Sequence, residues 1–175
     1  LRGHPSHVGK GFAVPSTPSA LWIWIRGADR GELVHKTRHL EEVLEEAFAL
    51  EHVVDAFQHG DSRDLSGYID GTENPEGDKA KEAAVASDGS SYVAIQQWIH
   101  DFDALEAMSQ EQRDHTIGRR LADNEELDDA PISAHVKRTA QESFTPEAFI
   151  LRRSMPWADE TQAGLLFVAF GRTFD

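Results

Sequence analysis

The sequence predicts an α+β chain built from ferredoxin-like βαββαβ units, incomplete at both ends. Three observations carry that prediction. Short runs of aromatic and β-branched residues, which read as strands, are interspersed with segments of helical period. These elements fall into two blocks, β-α-β and then β-α-β-β. A connection over 58–90, dominated by Gly, Asp, Ser and Lys, separates the blocks. The resulting division is 1–60, a linker over 61–90, and 91–175.

Taken in order, residues 1–20 hold Gly, Pro, Ser and His and read as an irregular lead-in. Leu21-Trp22-Ile23-Trp24-Ile25 is continuously apolar, the pattern of a strand buried on both faces. Leu33, Leu40, Val43, Leu44, Ala47 and Phe48 recur at helical spacing opposite Glu41, Glu42, Glu45 and Glu46, which predicts a helix over 31–49. His52–Phe57 reads as a short strand. The 58–90 connection has no predicted elements of its own. Ser91–Ile99 is the next strand, and Asp101 is placed to cap a short helix through Met108. Ser109 with Gln112 resembles a capping box for a second helix to about Ile117. An irregular acidic stretch runs from 120 to about 146. Strands at Phe149–Arg153 and Leu165–Phe170, split by a Met155-Pro156-Trp157 turn, complete the second block.

Composition narrows the function. The 39% hydrophobic and 27% charged residues are ordinary for a globular protein. No apolar run approaches the roughly 18 residues of a membrane span. A net charge of −14 argues against nucleic acid as a main partner, because phosphate binding needs clustered Lys and Arg. With no cysteine, disulfides, thiolate metal sites and cysteine nucleophiles are excluded. The chain begins at Leu1 without an initiator Met, shows no signal segment, and stops at Phe174-Asp175 just after a strand-like run. Both ends therefore read as cut, and the expected location is cytoplasmic.

The loop Gly67-Tyr68-Ile69-Asp70-Gly71-Thr72-Glu73-Asn74-Pro75-Glu76-Gly77 is the stretch around which candidate chemistry gathers. Locally, Asp70 reads as the acceptor of an Asx-turn or as a carboxylate fixed beside a bound group. Counted from Asp70, the EF-hand positions for Gly and Glu hold Pro75 and Lys81, so calcium binding there is unsupported. Among nine histidines, His35 and His39 share a helix face but lack the H-E-x-x-H pattern. His4, His7, His52, His59, His100 and His115 read as surface residues. His135, between small and apolar neighbours, is either a hydrogen-bonded structural residue or the single axial ligand that a haem iron needs. Strand alternation sends Arg152 and Arg153 to opposite faces, so one of them needs a polar or anionic partner.

The ordered set of Asp70-Gly-Thr-Glu-Asn-Pro75, Asp123-Asn-Glu-Glu-Leu127, His135-Val-Lys-Arg-Thr-Ala-Gln-Glu142 and Arg152-Arg-Ser-Met-Pro-Trp157 resembles the dye-decolourising peroxidases. The likeness is closest to the bacterial group and runs from about Ala20 onward. It implies a haem b (iron protoporphyrin IX) held in ferredoxin-like units of the dimeric α+β barrel type. His135 would be the proximal metal ligand. Asp70, Gly71, Thr72, Arg152 and Ser154 would line the cofactor, with Asp70 and Arg152 on the distal face. Ser154 stands where many members have Asn, a departure that changes distal hydrogen bonding.

The resemblance further implies that 61–90 carries the distal loop and 91–175 the haem-binding unit of a longer chain. The carboxylate partner of the proximal His would lie beyond residue 175. Asp70 would move a proton between peroxide oxygens, and Arg152 would stabilise the departing one. Tyr68, Tyr92, Trp98 and Trp157 are candidates for indirect oxidation of a donor, or plain core and interface. The implied partners are H2O2 and a small organic reductant, with no nucleic acid or membrane, and a homo-oligomer formed through open strand edges. A haem-binding or haem-handling protein without turnover, and an inactive fragment, are the alternative readings.

Overall fold

The computed structural model of the protein describes residues 4–173. The predicted cut ends at Leu1 and at Phe174-Asp175 lie outside the described residues. Two compact units meet in the chain between Val53 and Val54.

In the first unit the lead-in is irregular except for one hairpin. β1 (His7–Gly9) and β2 (Phe12–Val14) form an antiparallel hairpin with Gly9 opposite Phe12, closed by Lys10-Gly11. The strand expected at Leu21–Ile25 is absent. No strand is assigned over the run, and Leu21, Trp22 and Ile23 are exposed. An apolar run becomes a strand only where it joins a ladder with another strand, and the run belongs to neither sheet among the described residues. Trp22 stacks on Trp24 with centroids 6.1 Å apart, and the Arg26 guanidinium lies 5.1 Å from the Trp24 ring.

Helix α1 spans Arg30–Leu44, shorter than the expected 31–49. Asp29 caps its start by accepting from Glu32 N at 2.8 Å. It ends early because Glu41, Glu42, Glu45 and Glu46 crowd the negative end of the helix dipole with no basic residue in the last turn. Ala47 N and Phe48 N turn back instead onto the Leu44 carbonyl. The expected strand at His52–Phe57 is also absent. Ala56 makes an isolated bridge to Trp157, and Phe57 N donates to Pro156 O at 2.9 Å.

In the second unit the 58–90 connection is not structureless. It contains α2 (Gly77–Ala84), whose Ala83 and Ala84 are buried and whose Ala83 carbonyl accepts from Arg172 N at 3.0 Å. The short Ala-rich segment is a good helix former, a signal outweighed in the sequence by the surrounding turn residues. The strand β3 (Tyr92–Ile99) forms as expected. So does α3 (Phe102–Ala107), capped by Asp101 through Ala104 N at 2.9 Å. Helix α4 (Gln110–Ile117) has the full Ser109–Gln112 capping box and ends on Gly118 in the left-handed region. The acidic stretch beyond it holds only α5 (His135–Arg138) and a 3-10 turn at Gln141–Ser143.

The sheet is antiparallel, in the order β3, β6 (Ala163–Gly171), β4 (Leu151–Arg152), with β5 (Met155–Ala158) also pairing β6. It is open, and no barrel closes among the described residues. The expected Met155-Pro156-Trp157 turn is instead strand β5. β4 and β5 keep one register against β6, running from Leu151 opposite Phe170 to Ala158 opposite Ala163. They are one strand interrupted at Arg153-Ser154. Pro156 is tolerated because this strand lies at the edge of the sheet.

β6 carries the centre of the core, with Val168 and Ala169 buried beside Trp157 of β5. The Trp157 indole reaches across Gly164 of β6 to donate to the Trp98 carbonyl of β3 at 2.9 Å. Trp157 is thus a core residue, whereas Trp98 and Tyr92 stay exposed on β3.

Candidate active site

A small hairpin sets the position of Asp70. Arg63 bridges Ile69, Asp64 N donates to Tyr68 O, and Asp70 N donates to Ser62 O, the last two at 2.9 Å. Arg63 Nη1 donates to Gly67 O at 2.7 Å and closes the tip. The Asp70 carboxylate accepts no hydrogen bond among the described residues, so it is not an Asx-turn acceptor. That role falls to Asp64, which takes Ser66 N at 2.8 Å.

Asp64 also receives His100 Nε2 at 2.7 Å, which corrects the reading of His100 as a free surface residue. Burial alone would raise the Asp64 pKa. The bonds from His100 and Ser66 outweigh it and hold the carboxyl at about 2, below its ordinary 3.8. Its contribution to stability is therefore complete above the ordinary value and lost as pH falls from about 3.8 towards about 2. Asp64→Asn is expected to lower stability by about 2 kcal/mol at neutral pH. In urea unfolding the gap between wild type and variant should close by pH 2; a gap independent of pH would refute the assignment.

Asn74 fastens this loop to the strand that carries Arg152. Its Oδ1 accepts from Arg152 N at 2.8 Å and its Nδ2 donates to Arg152 O at 3.1 Å, imitating a strand partner. Gly71 makes room for that amide. With φ +81° it occupies the left-handed region, and a Cβ there would lie 2.7 Å from Asn74 Nδ2. The sequence contains Asn74 within the quoted motif, but the two-sided grip on Arg152 shows only in three dimensions.

A second fastening joins the loop to the helix of His135. Buried Arg119 binds Glu73 and Glu126, while Lys137 reaches Glu126 at 2.7 Å. Asn124 Nδ2 donates to Thr72 Oγ1 at 2.9 Å, so Thr72 is engaged with protein. Gly118 lets α5 pack close, since a Cβ there would lie 2.3 Å from Val136 Cγ2.

These fastenings bring Asp70, His135 and Arg152 within electrostatic reach of one another. The His135 imidazole is exposed, yet enough protein surrounds it to depress its pKa. Burial lowers it most, the Arg152 guanidinium lowers it further, and the Asp70 carboxylate opposes them. No described residue hydrogen-bonds either ring nitrogen, so a neutral imidazole with a free lone pair is available to a metal.

Arg152 is half-buried and Arg153 exposed, as strand alternation predicts. Arg152 Nε is buried without a hydrogen-bond partner. Ser154 Oγ accepts weakly from Val168 N at 3.4 Å. Neither the hollow along Ile99–Asp103 nor the one over the end of α1 includes any of the three central residues. No three-residue cluster of His, Asp and Glu suited to a bare metal ion occurs among the described residues. A planar cofactor that brings its own metal needs only one imidazole, and an orphaned buried N–H within electrostatic reach of that imidazole suits it.

Comparison with known proteins places the chain in a family. The profile of the family described as Dyp-type peroxidase, C-terminal, matches residues 61–175. A dye-decolorizing peroxidase of Mycolicibacterium paratuberculosis is 31% identical over 94% of this chain and 50% of its own length. One from Mycobacterium tuberculosis is 31% identical over 94% of this chain and 52% of its own. A heme complex of a DypB variant from Rhodococcus jostii RHA1 superposes with a TM-score of 0.89 at 31% identity, covering 98% of this chain and 59% of that one. The chain thus spans about half the length of the curated relatives it matches.

Proposed function

Because this chain belongs to the Dyp-type peroxidase family, we propose that it acts in haem-dependent reduction of H2O2 coupled to oxidation of an organic donor such as a dye or phenol. The cofactor in this reading is haem b, carried by the unit over 91–175 and overlain by the loop within 61–90. The observation that carries the reading is the buried, unpartnered Arg152 Nε beside Asp70 and His135. A desolvated N–H without an acceptor is costly unless a ligand oxygen supplies one.

His135 would hold the haem iron, and Asp70, Gly71, Thr72, Arg152 and Ser154 would line the cofactor. When bound, the haem supplies the redox chemistry at its iron. Asp70, with no hydrogen bond of its own to break, takes a proton from one peroxide oxygen and returns it to the other. Arg152 donates to the departing oxygen as negative charge develops there. Asn74 and the Arg119 ion pairs keep these groups in place while this happens. The exposed strand β3, with Tyr92, Trp98 and Ile99, supports association of copies at that edge.

Titration of the purified protein with haemin tests the pocket directly. A Soret band should appear with wild type and vanish with His135→Ala. A wild type that yields no band would refute haem binding by this chain. A band without H2O2-dependent dye oxidation would leave it as a haem carrier.

A further inference from the structure

We propose that Tyr68 and Asp114 form a redox-active pair, in which the Tyr68 phenol gives up one electron while its proton passes to Asp114 Oδ1. The proposal rests on the peroxidase reading only for the natural oxidant, the peroxide-oxidised cofactor. In the balanced step the phenol O–H breaks and an O–H forms on the Asp114 carboxylate. A neutral tyrosyl radical and a carboxylic acid remain, and the electron leaves to the oxidant. Reduction by an organic donor, with return of the proton, restores the pair.

Three observations point there. Tyr68 is only 5% exposed, and its hydroxyl donates to Asp114 Oδ1 at 2.5 Å, a short charge-assisted bond along which a proton can move without a water. Gln110 Nε2 donates to the phenol oxygen at 3.2 Å and to Asp114 Oδ1 at 2.7 Å. Its bond to the phenol oxygen persists after the proton has gone and stabilises the product. Tyr68 also lies two residues from Asp70, so their Cα atoms are at most about 7 Å apart. An electron therefore has a short path from the phenol to the site.

The resting state is the one the step requires. Burial and the Asp114 charge raise the Tyr68 pKa, so the phenol does not ionise on its own. Burial would raise that of Asp114 as well, but bonds from Tyr68, Gln110 and Leu121 N lower it overall, leaving a carboxylate. A phenol that has lost an electron is a far stronger acid than either, and the proton then moves. A tyrosine buried only for packing needs neither a carboxylate nor a second donor on its oxygen. The other of the two tyrosines, Tyr92, is 48% exposed.

The test uses the whole chain without cofactor and a photogenerated ruthenium(III) tris-bipyridine oxidant, read by electron paramagnetic resonance and transient absorption. The Tyr92→Phe variant should still give a neutral tyrosyl signal, narrowed when ring-deuterated tyrosine is incorporated, and Tyr68→Phe should lose it. Asp114→Asn should slow radical formation by roughly a hundredfold, the scale of a positioned base. It should also remove the solvent deuterium effect. Absence of a tyrosyl signal in Tyr92→Phe overturns the proposal, as does an unchanged rate in Asp114→Asn. Since no haem is present, failure here leaves the haemin result standing, and the reverse also holds.

Discussion

Replacing Arg152 by alanine should lower H2O2-dependent dye oxidation by roughly 10²–10³-fold, the loss typical when a preorganised donor to developing negative charge is removed. The same change should move the unfolding free energy by less than about 1 kcal/mol. The two outcomes belong together. A buried N–H that finds no acceptor destabilises the fold, and truncating it relieves a cost that offsets the lost packing of the side-chain stem. A guanidinium serving the fold would behave in the opposite way, with stability falling first and turnover following it. Steady-state rates at saturating haem, set beside urea unfolding of the same samples, separate the cases. Parallel losses in both would assign Arg152 to structure.

The largest effect on stability is expected at Gly164. An alanine Cβ there would lie 2.0 Å from Trp98 O and 2.8 Å from its carbonyl carbon, both backbone atoms that cannot swing aside. Relief requires β3 to move away from β6, and that movement also breaks the bond from the Trp157 indole to the Trp98 carbonyl. Overpacking and a lost buried hydrogen bond together amount to about 3 kcal/mol. A fall of that size in thermal unfolding, with Trp157 becoming accessible to fluorescence quenchers, is the expected result. A variant that melts with wild type would show that β3 and β6 are not held as described.

Elements with local signals were legible in the sequence. The Asp101 cap and the Ser109–Gln112 box lie within one turn of the helices they start, and both helices formed with those caps. Strand β3 and the central β6 announced themselves by composition. Strands whose existence depends on a distant partner were misread. The apolar Leu21–Ile25 run looked like a better strand than Met155–Ala158, yet of the two only the latter belongs to a sheet among the described residues. Pro156 signalled a turn, because sequence alone does not say which segments lie at a sheet edge.

For the site, Asp70, His135 and Arg152 were named from the ordered motifs, and the structure puts them within reach of one another. What holds them there was not legible. The clasp of Asn74 on Arg152 joins residues 78 positions apart, and the bond from Tyr68 to Asp114 joins residues 46 apart. Side-chain bonds of this span leave no periodicity to read. His100 was likewise dismissed for want of a nearby ligand partner, whereas its partner is a carboxylate in the loop of Asp70.

The placement of β6 between β3 and the interrupted β4–β5 strand has a consequence for synthesis. β6 follows every other strand of its sheet in the chain, so none of them has β6 to pair with when it leaves the ribosome. β3, with Tyr92, Val93, Ile95, Trp98 and Ile99, emerges long before β6 can cover its backbone. Such long-range pairing is slow and leaves unpaired apolar segments open to wrong associations. The order of elements therefore makes this unit a natural client for chaperones during translation. Slower elongation between β3 and β6 would prolong that exposure and lower the soluble yield.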